Sequence, residues 1–214
     1  MRVNNISELD ELQSNQVKKE PKRMVSFNQH FIFNTLNSIV SLCRVNPEEA
    51  RKVVLELSSY LRFNTNVTDE LIFLCQEIEY IKSYLYIQKI RFGERLNIIY
   101  NIEENINFLI PKNSLYNLID NAINHGILKK NYGGTLTLMV KQHKEKVVIN
   151  IKDDGVGMEG AQIIRILNNE KCGSLSTLNS QYEKLYNAKL EISSKLRSGT
   201  YITINIPIEN VECG

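Results

Sequence analysis

Residues 146–158 read KVVINIKDDGVGM, and this stretch sets the kind of fold that the chain adopts. Its first half predicts a β-strand at Lys146–Lys152, and its second half is a loop rich in Asp and Gly. A strand of this kind needs neighbouring strands and a covering layer of helices before it can bury its apolar side chains.

The segments on both sides of this stretch supply those neighbours. Towards the N-terminus the patterns predict helices at about 76–91 and 111–128, and strands at 96–102 and about 135–141. Towards the C-terminus they predict helices at 159–168 and 174–187, and strands at 190–194 and 200–207. This mixed order indicates an α/β sandwich, which we assign to residues 69–209, with 210–214 as a tail.

A different pattern precedes the sandwich. Residues 25–44 predict a helix with an apolar seam on one side and a polar stripe on the other. The predicted seam consists of Ile32, Phe33, Leu36, Ile39, Val40 and Cys43, and the stripe of His30, Asn34, Asn37, Ser41 and Arg44.

A second amphipathic helix follows after a tight turn. Asn46 is a good N-cap and Pro47 suits the first helical turn, so this helix runs from there to about residue 66. Its seam is Ala50, Val53, Val54, Leu57 and Leu61. A single hairpin, assigned to residues 25–68, buries little by itself, so we expect two copies to pair into a four-helix bundle.

Composition narrows the possible functions and locations. The 214 residues carry a net charge of +2 with mixed signs, which gives no electrostatic case for binding nucleic acid. No apolar run approaches the roughly 18 residues needed to span a bilayer, and the four cysteines have no metal-site spacing. We therefore expect a cytoplasmic chain, or the cytoplasmic part of a membrane-anchored protein. Residues 1–24 are either a polar leader or a coiled-coil remnant.

Three groups of residues contain side chains suited to catalysis or ligand binding, and each group also has a purely structural interpretation. His30 on the polar stripe is either a surface residue or a nucleophile, with Asn34 one turn later as a hydrogen-bonding partner. Residues 153–158 form either an ordinary turn or a carboxylate and glycine loop suited to adenine. Asn121 and His125 lie i,i+4 on a solvated helix face, or Asn121 is an oxygen ligand for Mg²⁺.

Taken together, these motifs resemble those of sensor histidine kinases of the LytS/YehU type. Residues 27–39 (FNQHFIFNTLNSI) resemble the phosphoacceptor box, and residues 87–96 (IQKIRFGERL) resemble the segment that leads into the ATPase domain. Residues 120–126 are similar to the N box, residues 154–157 to the first glycine box, and Gly199-Thr200 to the last box. The resemblance runs from about residue 25 to 208 in the family's order.

The resemblance implies a fold, a reaction and a set of roles. The C-terminal part would be an ATPase domain of the GHKL (Bergerat) type, and the protein would work as a homodimer with ATP and Mg²⁺. His30 would accept the γ-phosphoryl group and pass it to an aspartate of a response-regulator receiver domain. The candidate catalytic residues are His30 and Asn34, and the candidate nucleotide-binding residues are Asn117, Asn121 (also the metal ligand), His125, Asp154, Gly155, Gly157 and Thr200.

Four positions depart from the family pattern. Gln29 replaces a proline, Asn124 replaces a lysine, and Cys172 and Ser174 replace both glycines of the second glycine box. Asn117 stands where related hydrolytic ATPases have a glutamate, which argues against simple ATP hydrolysis. These departures leave an alternative open, in which the chain is a pseudokinase or phosphotransfer scaffold that binds a receiver domain but uses ATP poorly.

Overall fold

The computed structural model describes residues 29–65, 70–168 and 173–208. Its N-terminal part is a hairpin of two helices, α1 (Gln29–Val45) and α2 (Pro47–Thr65). Asn46 Oδ1 accepts a hydrogen bond of 3.1 Å from the backbone N–H of Glu49, so the expected N-cap is present. Residues 1–28, 66–69, 169–172 and 209–214, with the predicted leader and tail, lie outside the described residues.

The rest of the chain is the predicted mixture of strands and helices. In chain order the elements are β1 (Leu71–Phe73), α3 (Leu74–Phe92), β2 (Leu96–Ile102), β3 (Leu109–Pro111), α4 (Ser114–Asn121), β4 (Gly134–His143), β5 (Lys146–Asp153), α5 (Gly160–Leu167), α6 (Ser174–Tyr186), β6 (Leu190–Lys195) and β7 (Gly199–Pro207). Short 3-10 turns at Gly93–Arg95 and Ile127–Lys129 and a π-helical turn at Ala122–Gly126 join them.

A five-stranded sheet organises this part, with the strand order β2-β4-β5-β7-β6. β2 runs parallel to β4, and the other neighbours are antiparallel. Alternate residues of β5, namely Val147, Ile149 and Ile151, are buried in one core with side chains of α3, α4 and α6. This arrangement confirms the predicted fold class, an α+β chain whose sandwich has one helical layer.

Two short features differ from the prediction. β1 and β3 pair with each other as a separate two-stranded ribbon, and the sequence analysis predicted neither strand. Each of these strands has three residues, which is too short to show a period. The predicted helix at 111–128 begins at Ser114, and after Asn121 it widens into the π-helical turn.

The hairpin packs on the sandwich through an aromatic cluster, which consists of Phe31, Tyr60, Phe63, Tyr80, Tyr84 and Tyr116. Phe31 is 2% exposed, and its ring centroid lies 4.7 Å from that of Tyr60 and 5.2 Å from that of Tyr84. The cluster therefore joins α1, α2, α3 and α4 in one packed unit.

The predicted seam of α1 is wrong in part, because it merges two different faces. The face that packs on α2 and α3 contains Phe31 and Thr35, which are buried, and neither was placed in the seam. Phe33, Leu36 and Val40 are 66%, 45% and 68% exposed. Within the described residues, no helix combines enough length and hydrophobicity to cross a membrane.

Candidate functional site

A cavity of about 460 Å³ lies between the π-helical turn, the adjoining ends of β5 and β7, and helices α5 and α6. Its size is in the range of small-molecule sites. The lining residues are Leu118, Asn121, Ala122, His125, Gly126, Ile151, Asp153, Gly157, Met158, Gln162, Ile166, Gly173, Ser174, Leu175, Thr200 and Ile202. Four of the candidates chosen from sequence meet here, namely Asn121, His125, Gly157 and Thr200.

Asp153 is the carboxylate of this cavity. It is 5% exposed, and its Oδ1 accepts a hydrogen bond of 2.8 Å from the backbone N–H of Gly155. Burial raises the pKa of Asp153, while hydrogen bonds from the backbones of Gly155 and Thr200 act in the opposite direction. A buried carboxylate held in this way is a directional hydrogen-bond acceptor in a cavity of mixed polar and apolar lining.

Asp154, which the sequence analysis chose for this role, does not line the cavity. Its Oδ1 lies 3.0 Å from Lys130 Nζ and accepts a hydrogen bond of 3.0 Å from the backbone N–H of Thr135. Asp154 therefore ties the end of β5 to the beginning of β4. The carboxylate that lines the cavity is Asp153, one residue before the one that the sequence analysis chose, because adjacent residues of an extended segment point in opposite directions.

The glycines of the loop after β5 serve close packing of the backbone. A Cβ at Gly155 would lie 2.4 Å from the carbonyl carbon of Gly126, so Gly155 sits beneath the cavity and does not line it. Gly157 lines the cavity with φ at +70°, and a Cβ there would meet the Lys195 carbonyl oxygen at 2.0 Å. Glycine is required at both positions.

The other side of the cavity belongs to the π-helical turn and the residue before it. Asn121 Nδ2 donates a hydrogen bond of 2.9 Å to Ser174 Oγ, which connects the end of α4 with the first residue of α6. His125 and Gly126 follow in the turn and line the same cavity. The turn's wider winding accounts for these three residues sharing one surface, and π turns often occur at functional sites.

The remaining candidates lie in two places. Thr200 Oγ1 is 3.0 Å from Ser194 Oγ, which fixes the β6–β7 end of the cavity wall. Asn117 is half-buried on α4 and does not line the cavity, so its proposed nucleotide contact is not supported. The described residues contain no group of three or more His, Cys, Asp or Glu side chains placed to hold a metal ion.

His30 and Asn34 lie on α1 and do not line the cavity. His30 is exposed, and Asn34 Nδ2 lies 3.1 Å from its Nε2. The one-turn pairing that the sequence analysis expected is therefore present. The imidazole is accessible, and the same amide nitrogen also lies 3.3 Å from its Nδ1, so the contact does not select one ring nitrogen.

The sequence analysis missed Asp153, Gly126 and the apolar walls of the cavity. The sequence did contain a signal for Asp153. Every second residue of β5 is buried, and Asp153 continues the series of Val147, Ile149 and Ile151. The apolar walls, Ile166 of α5 and Ile202 of β7, come from distant elements and carry no local signal.

Comparisons with known proteins agree with this geometry. Residues 24–96 match the family model of histidine kinases, and residues 111–210 match that of histidine kinase-, DNA gyrase B- and HSP90-like ATPases. The chain is 36% identical over 207 residues to the sensor histidine kinase YpdA of Escherichia coli K12, covering 94% of this chain and 36% of YpdA. The chain belongs to the LytS/YehU type of sensor histidine kinases.

Further similar proteins support this family membership. The chain is 32% identical over 197 residues to the sensor protein LytS of Staphylococcus saprophyticus, covering 86% of this chain and 33% of LytS. It thus spans about a third of the length of these two relatives. Among solved structures, the histidine kinase domain of the blue-light activated kinase EL346 from Erythrobacter litoralis superposes with a TM-score of 0.51 at 16% identity, covering 84% of this chain and 93% of that one. This likeness concerns the fold.

Proposed function

We propose that this kinase-family chain phosphorylates itself on His30 with ATP and passes the phosphoryl group to an aspartate of a response-regulator receiver domain. The observation that supports this proposal is the single cavity that unites Asn121, His125, Asp153, Gly157 and Thr200. The family membership supplies the reaction class, and the cavity supplies a matching site on this chain.

The cavity suits an adenine nucleotide. The Asp153 carboxylate would accept a hydrogen bond from the exocyclic amine of adenine, and Ile151, Ile166 and Ile202 would contact the faces and edges of the ring. The phosphates would extend towards Asn121 and His125 on the π-helical turn. ATP is the co-substrate in this scheme, and the protein contributes position and charge neutralisation.

Asn121 is the candidate ligand for a Mg²⁺ ion that enters with the phosphates. Mg²⁺ typically keeps several waters and takes one or two protein oxygens beside the phosphate oxygens, so a cluster of carboxylates is not required. The ion would offset the negative charge that develops on the bridging oxygen. Asn121 uses its amide nitrogen towards Ser174, which leaves its amide oxygen as the ligand atom.

The transfer itself needs an imidazole nitrogen in line with the γ-phosphorus. The His30 nitrogen forms the P–N bond while the bond between the γ-phosphorus and the bridging oxygen breaks, and ADP leaves with that electron pair. The phosphorylated ring then releases its remaining N–H proton to solvent, because His30 is exposed, and Asn34 contacts the ring beside it. In the second step a receiver carboxylate oxygen bonds to phosphorus while the P–N bond breaks.

The exposed apolar side of α1 supports the homodimer. Phe33, Leu36 and Val40 are exposed and lie at helical spacing, and Val54 and Leu55 of α2 are 48% and 58% exposed. A second hairpin packed on these residues would complete the four-helix bundle. We place the chain in the cytoplasm, where ATP and receiver domains are present.

Autophosphorylation is tested by incubating the chain with γ-labelled ATP and Mg²⁺. We expect acid-labile label on the wild-type protein and on a His143→Gln variant, because His143 is an exposed histidine at the far end of β4. The His30→Gln variant should take up no label. Equal labelling of His30→Gln and wild type would refute His30 as the acceptor.

One observation favours the alternative scaffold function. Ser174, which replaces a family glycine, brings a side chain into the lining of the cavity and accepts a hydrogen bond from Asn121 Nδ2 there. A serine at this position leaves less room for the phosphates than a glycine would. Calorimetric titration with ATP and Mg²⁺ separates the two functions: a dissociation constant in the micromolar range supports the kinase, and undetectable binding to a folded protein supports the scaffold.

A further inference from the structure

A chain of side-chain hydrogen bonds crosses from α3 to α4. Arg91 Nη1 donates to Gln88 Oε1 at 2.8 Å, Gln88 Nε2 donates to Tyr84 Oη at 2.6 Å, and Tyr84 Oη donates to Asp120 Oδ1 at 2.6 Å. Asn124 Nδ2 donates to the same Asp120 oxygen at 2.8 Å. We call these five residues the relay.

The centre of the relay is buried, which fixes which group donates and which accepts in each hydrogen bond. Tyr84 and Gln88 are 1% and 2% exposed. Burial and the nearby Asp120 carboxylate raise the pKa of the Tyr84 hydroxyl, so it remains a hydrogen-bond donor to Asp120. A buried network of this type is costly to break, because each lost bond leaves a polar atom without a partner.

One end of the relay holds the wall of the cavity. Asp120 directly precedes Asn121, and the bond from Asn124 to Asp120 spans the beginning of the π-helical turn. His125 and Gly126, which line the cavity, follow within the same turn. A π turn is an uncommon winding, and the bond from Asn124 to Asp120 ties its beginning to the end of α4.

The other end of the relay meets the helix that carries His30. The Phe31 ring centroid lies 5.2 Å from that of Tyr84, and the guanidinium carbon of Arg91 lies 5.7 Å from the centre of the Phe31 ring. Phe31 is the residue after His30 and is buried in this contact. A shift of α1 at Phe31 therefore acts directly on Tyr84 and Arg91, as it does on Tyr60.

We infer that Tyr84 and Asp120 are positioning residues for the π-helical turn, and that through them the placement of α1 at Phe31 sets the affinity of the cavity for nucleotide. The part concerning nucleotide rests on the proposed function. The part concerning the turn is independent of any ligand. The device connects the phosphoacceptor helix with the nucleotide site inside one chain.

Hydrogen exchange of the nucleotide-free protein tests the positioning role. In Tyr84→Phe the amides of residues 121–126 should exchange at least about tenfold faster than in wild type, because Asp120 loses a fixed donor. Tyr80→Phe is the matched control, since Tyr80 belongs to the same aromatic cluster but bonds Asn64 and not Asp120. If Tyr84→Phe folds poorly, Asp120→Asn is the second variant, because Asp120 is only half-buried.

Calorimetry with Mg²⁺ and adenylyl imidodiphosphate tests the link to the nucleotide. We expect Tyr84→Phe and Phe31→Leu each to weaken binding at least about fivefold, and the double variant to lose less than the sum of both effects. The inference would be overturned if the amides of residues 121–126 exchanged no faster in Tyr84→Phe and Asp120→Asn than in the control Tyr80→Phe. If the wild-type protein bound no nucleotide in the calorimeter, the proposed function would be contradicted. The hydrogen-exchange data, which need no nucleotide, would still decide whether Tyr84 and Asp120 position the turn.

Discussion

At the scale of single residues, Asp153 and Asp154 differ in their surroundings, because Asp153 is the last residue of β5 and Asp154 is the first residue of the loop that follows. Asp153 continues the buried positions of β5 and lines the cavity, whereas Asp154 is paired with Lys130. Two adjacent aspartates thus have different surroundings, since one faces the cavity and the other links β5 to β4. The difference is testable with the same substitution at both positions.

Asp153→Asn should weaken ATP binding by about tenfold to a hundredfold, because the amide in place of the carboxylate turns a charge-assisted acceptor into a weaker one, at about 1.5–3 kcal/mol. Asp154→Asn should change ATP affinity less than about twofold, because Asp154 does not line the cavity and its carboxylate is bound by Lys130 and the Thr135 backbone. Calorimetric dissociation constants measure both. A larger loss for Asp154→Asn would return the adenine contact to that residue.

Glu77 is a buried acid away from the cavity. Its Oε1 accepts the backbone N–H groups of Leu115 and Tyr116 at 2.7 and 3.0 Å, at the beginning of α4. Its Oε2 is buried and has no hydrogen-bond partner among the described residues. Burial is the largest effect on this carboxyl and raises its pKa from 4.5 to about 8, against the lowering effect of the backbone hydrogen bonds.

This raised pKa predicts that folding stability falls as the pH rises from about 4.5 to about 8. In that window the folded state binds more protons than the unfolded state, so the free energy of unfolding decreases with pH. Glu77→Gln should flatten this slope, and it keeps an amide oxygen for Leu115 and Tyr116. Urea denaturation at pH 5 and pH 8 measures the effect, with Glu79→Gln as an exposed control on the same helix. A wild type whose stability rises over this range would contradict the prediction.

At the scale of secondary-structure elements, the loop after β5 crosses the π-helical turn with no space for a side chain. Gly155→Ala should lower the free energy of unfolding by about 1–3 kcal/mol, because its Cβ would meet Gly126 backbone at 2.4 Å. Gly160→Ala at the start of α5 has nothing within 4 Å and should be neutral or stabilising. Chemical denaturation compares the two, and equal stabilities would contradict the close crossing.

The elements themselves were largely predictable, and their special local geometry was not. The helices α1, α2, α3, α5 and α6 and strands β2, β4, β5, β6 and β7 follow the sequence periods closely. The π-helical turn has no sequence period of its own, because the apolar face of residues 115–123 continues without a break. The small β1–β3 ribbon depends on pairing between segments almost forty residues apart, which local patterns do not encode.

At the scale of the whole molecule, the two kinds of packing that α1 takes part in explain why its predicted apolar seam divides into two faces. The seam of α1 was chosen by hydrophobicity alone, and hydrophobicity does not distinguish packing within a chain from packing between chains. Phe31 packs inside this chain, whereas Phe33, Leu36 and Val40 remain exposed. A helix that serves both contacts has apolar residues around most of its circumference.

Charges on the exposed side should therefore separate the proposed dimer. Replacing Leu36 and Val40 together by Glu should weaken self-association at least about a hundredfold, since each buried apolar side chain contributes about 1.5–3 kcal/mol. Ile164→Glu, on α5 outside the hairpin and 59% exposed, should leave association unchanged. Sedimentation velocity measures the oligomeric state. A wild-type chain that is monomeric at all accessible concentrations would contradict the dimer.

The same geometry predicts whether ATP bound in one cavity phosphorylates His30 of the same chain or His30 of the second copy. Phe31 is buried in the aromatic cluster, which fixes α1 on its own sandwich, and the neighbouring His30 does not line the cavity of that chain. We therefore expect transfer to His30 of the second copy. Neither His30→Gln nor Asn121→Asp alone should take up label from γ-labelled ATP. Their mixture should recover acid-labile label, carried only by the Asn121→Asp chains, because only these retain the acceptor.

A matched mixture separates this outcome from activity without dimers. Both variants made in the Leu36→Glu, Val40→Glu background should recover no label, since the cavity and the intact His30 would no longer share one assembly. Mass tags on the two variants identify the labelled chain after electrophoresis. An unlabelled mixture, beside a labelled wild-type control, would mean that each cavity phosphorylates its own His30, and the aromatic cluster would then have to open during each catalytic cycle.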